Sequence, residues 1–236
     1  MKRKESDLYE PVKRHFVARG FTVRGEVLHC DLVALDSEDT VHIVELKSAC
    51  NLTVLLQAVA RLNVSHFVYV AIPQPSKRQQ PHWRELLKLC HMIGIGLLTV
   101  TFLRDGAFVT EQVPARRSEQ RTNQKKRTAL VRETKARRGD YNVGGTNKTK
   151  RLTAYRQLAL LCANYIAGNG PSSPKQLRAA LLQDKVAGVL QGNVYGWFER
   201  INKGIYGLTD MGRQALIEYA HVLRAMHPVE YNETKG

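Results

Sequence analysis

Two stretches of this chain, CDLVAL (residues 30–35) and VHIVEL (residues 41–46), are apolar at nearly every position and lie five residues apart. Runs this short read as strands, and strands apolar on both faces need cover on both faces. The turn between them, through Ser37-Glu38-Asp39-Thr40, is acidic and short enough for the two strands to pair antiparallel. HFVYVAI (residues 66–72) has the same character, suits a buried central strand, and is ended by Pro73 and Pro75.

The segments around these strands carry helical spacing. Leu8, Val12, Phe16 and Val17 predict a helix from Asp7 to Ala18, stopped by Gly20. Leu52, Leu55, Leu56, Val59, Ala60 and Leu62 predict another, capped by Asn51 or Thr53. A third, over Pro81 to Met92, places Trp83, Leu86, Leu87 and Cys90 on one face. Strands are expected at Phe21–Val27, Gly94–Phe102 and, outermost, Ala107–Val113. The first three strands have short links and favour a meander, whereas strands reached through helices favour parallel pairing. The fold class is therefore α/β, a mixed sheet flanked by helices, over residues 1–115.

Charge marks the next boundary. The net charge is +15, and residues 116–151 hold 13 Lys/Arg against 3 Asp/Glu. Such an excess points to a polyanion, above all nucleic acid. This stretch is polar, contains Gly144-Gly145, and has little apolar surface, so it reads as a basic, flexible linker. Its middle, Gln124–Arg138, can form a basic helix when bound. Arg116, Arg117, Lys125, Lys126, Arg127, Arg137, Arg138, Lys148, Lys150 and Arg151 are the expected phosphate contacts. A solvated spacer that binds nothing is the alternative.

Residues 152–228 read as a second unit, followed by a tail, 229–236. Tyr155, Leu158, Leu161, Cys162, Tyr165 and Ile166 trace a helix ending at Gly168, and Ser173-Pro174 caps the next. A third helix is expected around Val194, Trp197, Phe198 and Ile201. In IYGLTDMGRQAL a short strand pair turns into a last helix, with Thr209 or Asp210 as cap and Leu216, Tyr219 and Leu223 inward. Three helices, a small wing and a closing helix describe a winged helix-turn-helix. Its recognition helix would offer Gln191, Asn193, Tyr195 and Arg200, with Lys203 at the end. A docking or dimerisation module fits the same pattern.

The chemistry-bearing residues lie in the first strand pair. Asp31 opens one strand, and Glu45-Leu46-Lys47 closes the next, with Glu45 and Lys47 on one face. Paired strands bring Asp31 beside Glu45. Two carboxylates and an ammonium then meet at the end of the sheet, a set suited to a divalent metal and a phosphodiester. Solvated strand-end charges are the plain alternative, but charges ending such apolar strands need a partner.

Asp31 followed fourteen positions later by Glu45-Leu46-Lys47, in helix–strand–strand–strand–helix–strand order, resembles the PD-(D/E)XK nuclease superfamily. ESDLYEPVKRHFVARGF, CDLVAL, VELK and LLQAVARL look like an uncharacterised bacterial branch of PD-(D/E)XK-type phosphodiesterases, a resemblance over residues 5–113. It implies a restriction-endonuclease-like fold and a metal-dependent phosphodiesterase, endonuclease-like and acting on duplex DNA. Asp31, Glu45 and the Leu46 carbonyl would hold Mg²⁺, with Mn²⁺ able to substitute, and Lys47 would serve the attacking water or the pentacovalent phosphate. Glu5, or else Glu10, would add an acid from the first helix, although a helix N-terminus favours acids in any case. Gln57 would contact the water or Lys47, and Arg61 would meet phosphate or an acid. Both also fit the polar face of an amphipathic helix. A non-catalytic DNA-binding or regulatory protein on the same scaffold is the rival expectation.

Cys30, Cys50, Cys90 and Cys162 form no CxxC pair, and the histidines show no ligand spacing. Neither a Rossmann fingerprint, a Gly-rich phosphate loop nor a Ser-His-Asp order is present. The charged MKRKESDLYE start is not a signal peptide, and no apolar run is long enough to span a membrane. A cytoplasmic protein with reduced thiols is expected, with a homodimer among the open arrangements.

Overall fold

The computed structural model describes residues 3–75, 82–146 and 151–226. A 3₁₀ turn, Glu5–Leu8, leads into helix α1, Tyr9–Val17. Strands β1 (Thr22–Val27), β2 (Cys30–Leu35) and β3 (Val41–Leu46) follow. Helix α2 (Leu52–Arg61), strand β4 (Phe67–Pro73), helix α3 (Trp83–Ile93), and strands β5 (Gly96–Leu103) and β6 (Gly106–Val113) complete the expected order. The Asn51 side chain caps α2 by accepting the Val54 N–H at 3.0 Å.

The six strands form one sheet in chain order. β1, β2 and β3 pair antiparallel, and β3–β4 and β4–β5, reached through α2 and α3, pair parallel. β6 returns antiparallel through a hairpin. Strand alternation splits the interior into two layers. Val33, Ile43, Val68, Val70 and Leu97 face a core closed by α2 and α3, while Leu32, Val44, Leu46 and Leu98 face one closed by α1. Val44 and Leu46 are fully buried, as a strand apolar on both faces requires.

Of the segment expected to be a flexible linker, the described residues 116–146 pack against this sheet through α4 and the residues that follow it. Helix α4, Gln124–Ala136, buries Leu130 in the core beneath α2 and α3. Its capping Asn123 accepts the Lys126 N–H at 3.0 Å. Arg137 is buried and donates to the carbonyls of Gly25 and Glu26 at 2.8 and 3.0 Å. Composition misled here because few apolar residues suffice for a helix that packs on an existing core. Lys148, Lys150 and the tail after residue 228 lie outside the described residues.

The chain divides into two units, Met1–Arg151 and Leu152–Gly236. The second holds α5 (Ala154–Asn169), α6 (Pro174–Leu181), α7 (Val186–Gly192), a hairpin of β7 (Phe198–Asn202) and β8 (Ile205–Leu208), then α8 (Asp210–Glu218) and α9 (Ala220–Met226). Ser173 and Gln176 form a reciprocal capping box on α6, with Pro174 in its first turn. The third helix lies earlier than its apolar residues suggested. Asn193 turns left-handed at φ 40°, and its side chain binds both the N–H and the carbonyl of Phe198, so the chain leaves the helix and enters a strand. The closing helix breaks at Tyr219, which is buried at the break itself, and Leu223 is buried on the second short helix. Among the described residues no helix is long and apolar enough to cross a membrane.

Two stability predictions arise from the first unit. The β1–β2 turn has two central residues, Leu28 and His29, both left-handed at φ 45° and 72°. Asn and Gly normally fill such turns, and a branched side chain there is strained. Leu28 is also half-exposed. Leu28→Asn should therefore stabilise the fold by about 1 kcal/mol, read as a rise in Tm of about 2–4 °C.

Burial, aided by the charge of Arg19, holds the His15 imidazole down to about 4 from its ordinary 6.5. Burial also lowers His42, against the opposing pull of Asp36. A group with a depressed folded value contributes fully above its unfolded value and less as pH falls. The Tm should thus drop as pH falls from 6.5 toward 4, and His15→Gln should flatten that slope. Thermal melts of both proteins across this interval check it.

Candidate active site

The register of β2 on β3 pairs Leu32 with Val44, so one step further Asp31 stands opposite Glu45. Glu45 belongs to the face covered by α2, and Lys47 follows two residues later on the same side. The Lys47 ammonium lies 2.9 Å from Asp31 Oδ2, 3.6 Å from Glu45 Oε2 and 3.9 Å from Glu5 Oε2. Asp31 Oδ2 also accepts the Leu46 N–H at 2.9 Å. Arg61, in the last turn of α2, donates from Nε to Glu45 Oε1 at 2.6 Å and from Nη2 to the His29 carbonyl. The structure thus brings Asp31, Glu45, Lys47 and Glu5 together. Glu10 instead faces Lys13 at 3.6 Å, largely in solvent.

Glu45 is only 3% exposed. Burial pushes its carboxyl upward and Asp31 pushes the same way, while Arg61 and Lys47 pull it back. A buried carboxylate of this kind persists only because cations stand against it. At Lys47 burial opposes the charge, but Asp31, Glu45 and Glu5 outweigh it, and the amine is held protonated above its ordinary value. Cys30 is a buried thiol, pushed up to about 12 chiefly by burial, with Arg61 lowering it and Glu45, Asp31 and Glu26 raising it.

A third acid on the same row was not expected from the sequence. β1 pairs Gly25 with Leu32 and Val27 with Cys30, which sets Glu26 across from Asp31. Glu26 is buried, accepts the Gly145 N–H at 3.0 Å, and binds Arg151 at 2.6 Å. Burial raises its carboxyl, Arg151 lowers it, and Asp31 raises it again. The only signal in the sequence was an acid inside TVRGEV, which gains meaning once the strand register is known. Three acids on three neighbouring strands are therefore interleaved with Arg151, Lys47 and Arg61.

A cavity of about 350 Å³ opens beside this row, lined by Glu5, Lys47, Ser48, Asn51, Thr53 and Gln57. Asp31 and Glu45 are hard oxygen donors, and with a backbone carbonyl they suit Mg²⁺, which keeps several waters and needs few protein ligands. Among the described residues no three His, Cys, Asp or Glu side chains are arranged to hold a metal ion.

The expected phosphate-contacting residues divide. Arg116, Arg117, Lys125, Lys126 and Arg138 are exposed, and Arg127 is half-buried. Arg61, Arg137 and Arg151 are engaged within the first unit, by Glu45, by the carbonyls of Gly25 and Glu26, and by Glu26. In the second unit Arg200 and Lys203 lie exposed on the hairpin. Gln191 lies in the last turn of α7, and Asn193 is occupied by Phe198. Tyr195 packs among Tyr155, Trp197 and the Arg156 guanidinium, so it belongs to the framework. None of these residues lies on a helix spanning 194–201, because that stretch is loop and strand.

A family model described as "Putative PD-(D/E)XK phosphodiesterase (DUF2161)" matches residues 98–215. The chain belongs to this family. The matched span begins in β5 and includes α4, residues 137–146 and most of the second unit. Asp31, Glu45 and Lys47 precede it in sequence, but Gly145 and Arg151 reach back to Glu26 on the acid row. No curated protein and no solved structure matches the chain.

Proposed function

We propose that this protein is a Mg²⁺-dependent phosphodiesterase, endonuclease-like, that hydrolyses phosphodiester bonds of duplex DNA, with Mn²⁺ able to substitute. The convergence of Asp31, Glu45 and Lys47 at the ends of β2 and β3 carries this reading. Asp31, Glu45 and the Leu46 carbonyl would hold the ion, which when bound supplies charge neutralisation and a more acidic water. Lys47, held as a cation by the surrounding carboxylates, would stabilise negative charge on the phosphate and orient the nucleophile. Arg61 holds Glu45 and the β1–β2 turn in place. Gln57 lies on the wall of the cavity, where it would contact the water or Lys47.

The net charge of +15 and the exposed basic residues of α4 support a polyanionic substrate. The second unit, read as a winged helix, would add contacts through Arg200 and Lys203 on its hairpin. The same reading places the protein in the cytoplasm with its four thiols free. A single site nicks one strand, so a double-strand break would require a homodimer.

A second reading has one observation in its favour. Both key carboxylates are already neutralised by Lys47 and Arg61, as in a binding protein that has kept the scaffold without the reaction. Supercoiled plasmid incubated with purified protein and Mg²⁺ or Mn²⁺ separates the two. Nicking that EDTA abolishes supports the enzyme. Intact plasmid, single strands and RNA in either metal, with duplex still retarded in a gel, establish the binder. Preferential cleavage of RNA would replace DNA as the substrate.

A further inference from the structure

The hairpin that delivers Asp31 is strained and is held from outside. Glu26, Leu28 and His29 are all left-handed, at φ 52°, 45° and 72°, within four residues that contain no glycine. Strain of this kind survives only where the surroundings over-determine it. Here residues 137–146 together with Arg151 form a strap around β1. Arg137 donates to the carbonyls of Gly25 and Glu26 at 2.8 and 3.0 Å. Asp140 accepts the Gly25 N–H at 3.0 Å and the Tyr9 hydroxyl at 2.6 Å, and pairs with Lys13 at 2.8 Å. Gly145 and Arg151 bind the two oxygens of Glu26, and Arg151 Nη1 lies 3.3 Å from His29 Nδ1.

The strap also touches Asp31 itself. A side chain at Gly144 would collide with the Asp31 carbonyl oxygen. Gly145 is left-handed at φ 74°, and a side chain there would press on Glu5 and Ser6. Two adjacent glycines let the strap lie directly on the backbone of the site.

We infer that this strap is a positioning device for Asp31: it fixes the strained β1–β2 hairpin, and through it the direction in which Asp31 presents its carboxylate. Glu26 is the anchor of the strap and a positioning residue, not a catalytic one. The functional side of the inference rests on the reading of Asp31 as a metal-holding carboxylate. Its structural side does not.

Amide hydrogen exchange on the full chain tests it. The Leu46 N–H donates to Asp31 Oδ2, whereas the next amide, Lys47, donates to the Ala71 carbonyl on β4 at 2.9 Å and is indifferent to Asp31. Gly144→Ala and Glu26→Gln should each speed exchange at Leu46 by about tenfold or more while leaving Lys47 unchanged. Equal acceleration of both amides, or no change at Leu46 in a folded variant, overturns the inference. Glu26→Gln keeps the shape of the side chain and serves where Gly144→Ala does not fold. By calorimetry the same variants should bind Mn²⁺ about 10–100-fold more weakly. A wild-type chain that binds no Mn²⁺ defeats the metal reading of Asp31, and the Leu46 amide then decides the positioning role alone.

Discussion

Lys47→Met and Asp31→Asn are each expected to lower the rate of plasmid nicking by about a thousandfold, with the retardation of duplex DNA nearly unchanged. In Lys47→Met the ammonium that faces Asp31, Glu45 and Glu5 is gone, and three acids are left to repel one another. Glu45, already pushed up by burial and by Asp31, then takes a proton more readily and ceases to be a useful ligand. In Asp31→Asn the shape persists but the negative charge that faces the Lys47 ammonium is lost, and the amide keeps one neutral acceptor oxygen where the carboxylate had two anionic ones. Lys47→Arg is expected to be nearly as damaging, because a planar guanidinium does not occupy the site of a compact ammonium. Single-turnover nicking at saturating protein isolates the chemical step. Variants that nick at the wild-type rate would remove these residues from the reaction.

The second large effect falls on stability. Arg137→Ala should destabilise the first unit by about 3–5 kcal/mol. Its buried guanidinium satisfies the carbonyls of Gly25 and Glu26 and pairs with Glu133 at 3.0 Å. Truncation leaves those carbonyls without their donor and Glu133 without this partner. The expected drop in Tm is about 10 °C, while duplex affinity measured well below the transition stays the same. Lys125→Ala with Lys126→Ala should do the reverse, sparing the Tm and weakening binding with a shallower salt dependence. If Arg137→Ala weakened DNA binding at unchanged Tm, its assignment to the framework would be wrong.

The first sheet was legible because its signals are local and redundant. Apolar runs of strand length, helical stripes and proline stops all agree over residues 5–113, and Asp31 and Glu45 followed from the length of one turn. Glu26 was hidden because its importance depends on the pairing of β1 with β2 and on a positive φ, neither of which a composition window records. Arg137 and Arg151 were misread for a related reason. A cationic stretch looks alike whether its charges meet solvent or meet buried carbonyls, and only tertiary placement separates the two. In the second unit Val194, Trp197, Phe198 and Ile201 satisfy helical spacing over a stretch too short to exclude a strand, and Asn193 with Gly196 turned the chain.

Arg137 and Asp140 also occupy backbone groups of β1 on the side away from β2. An outermost strand with such groups unsatisfied is a template on which another chain can add itself. With them engaged, the sheet is closed to growth from the β1 side. Strand-by-strand growth of this six-stranded sheet would then fall to β6, at its far margin.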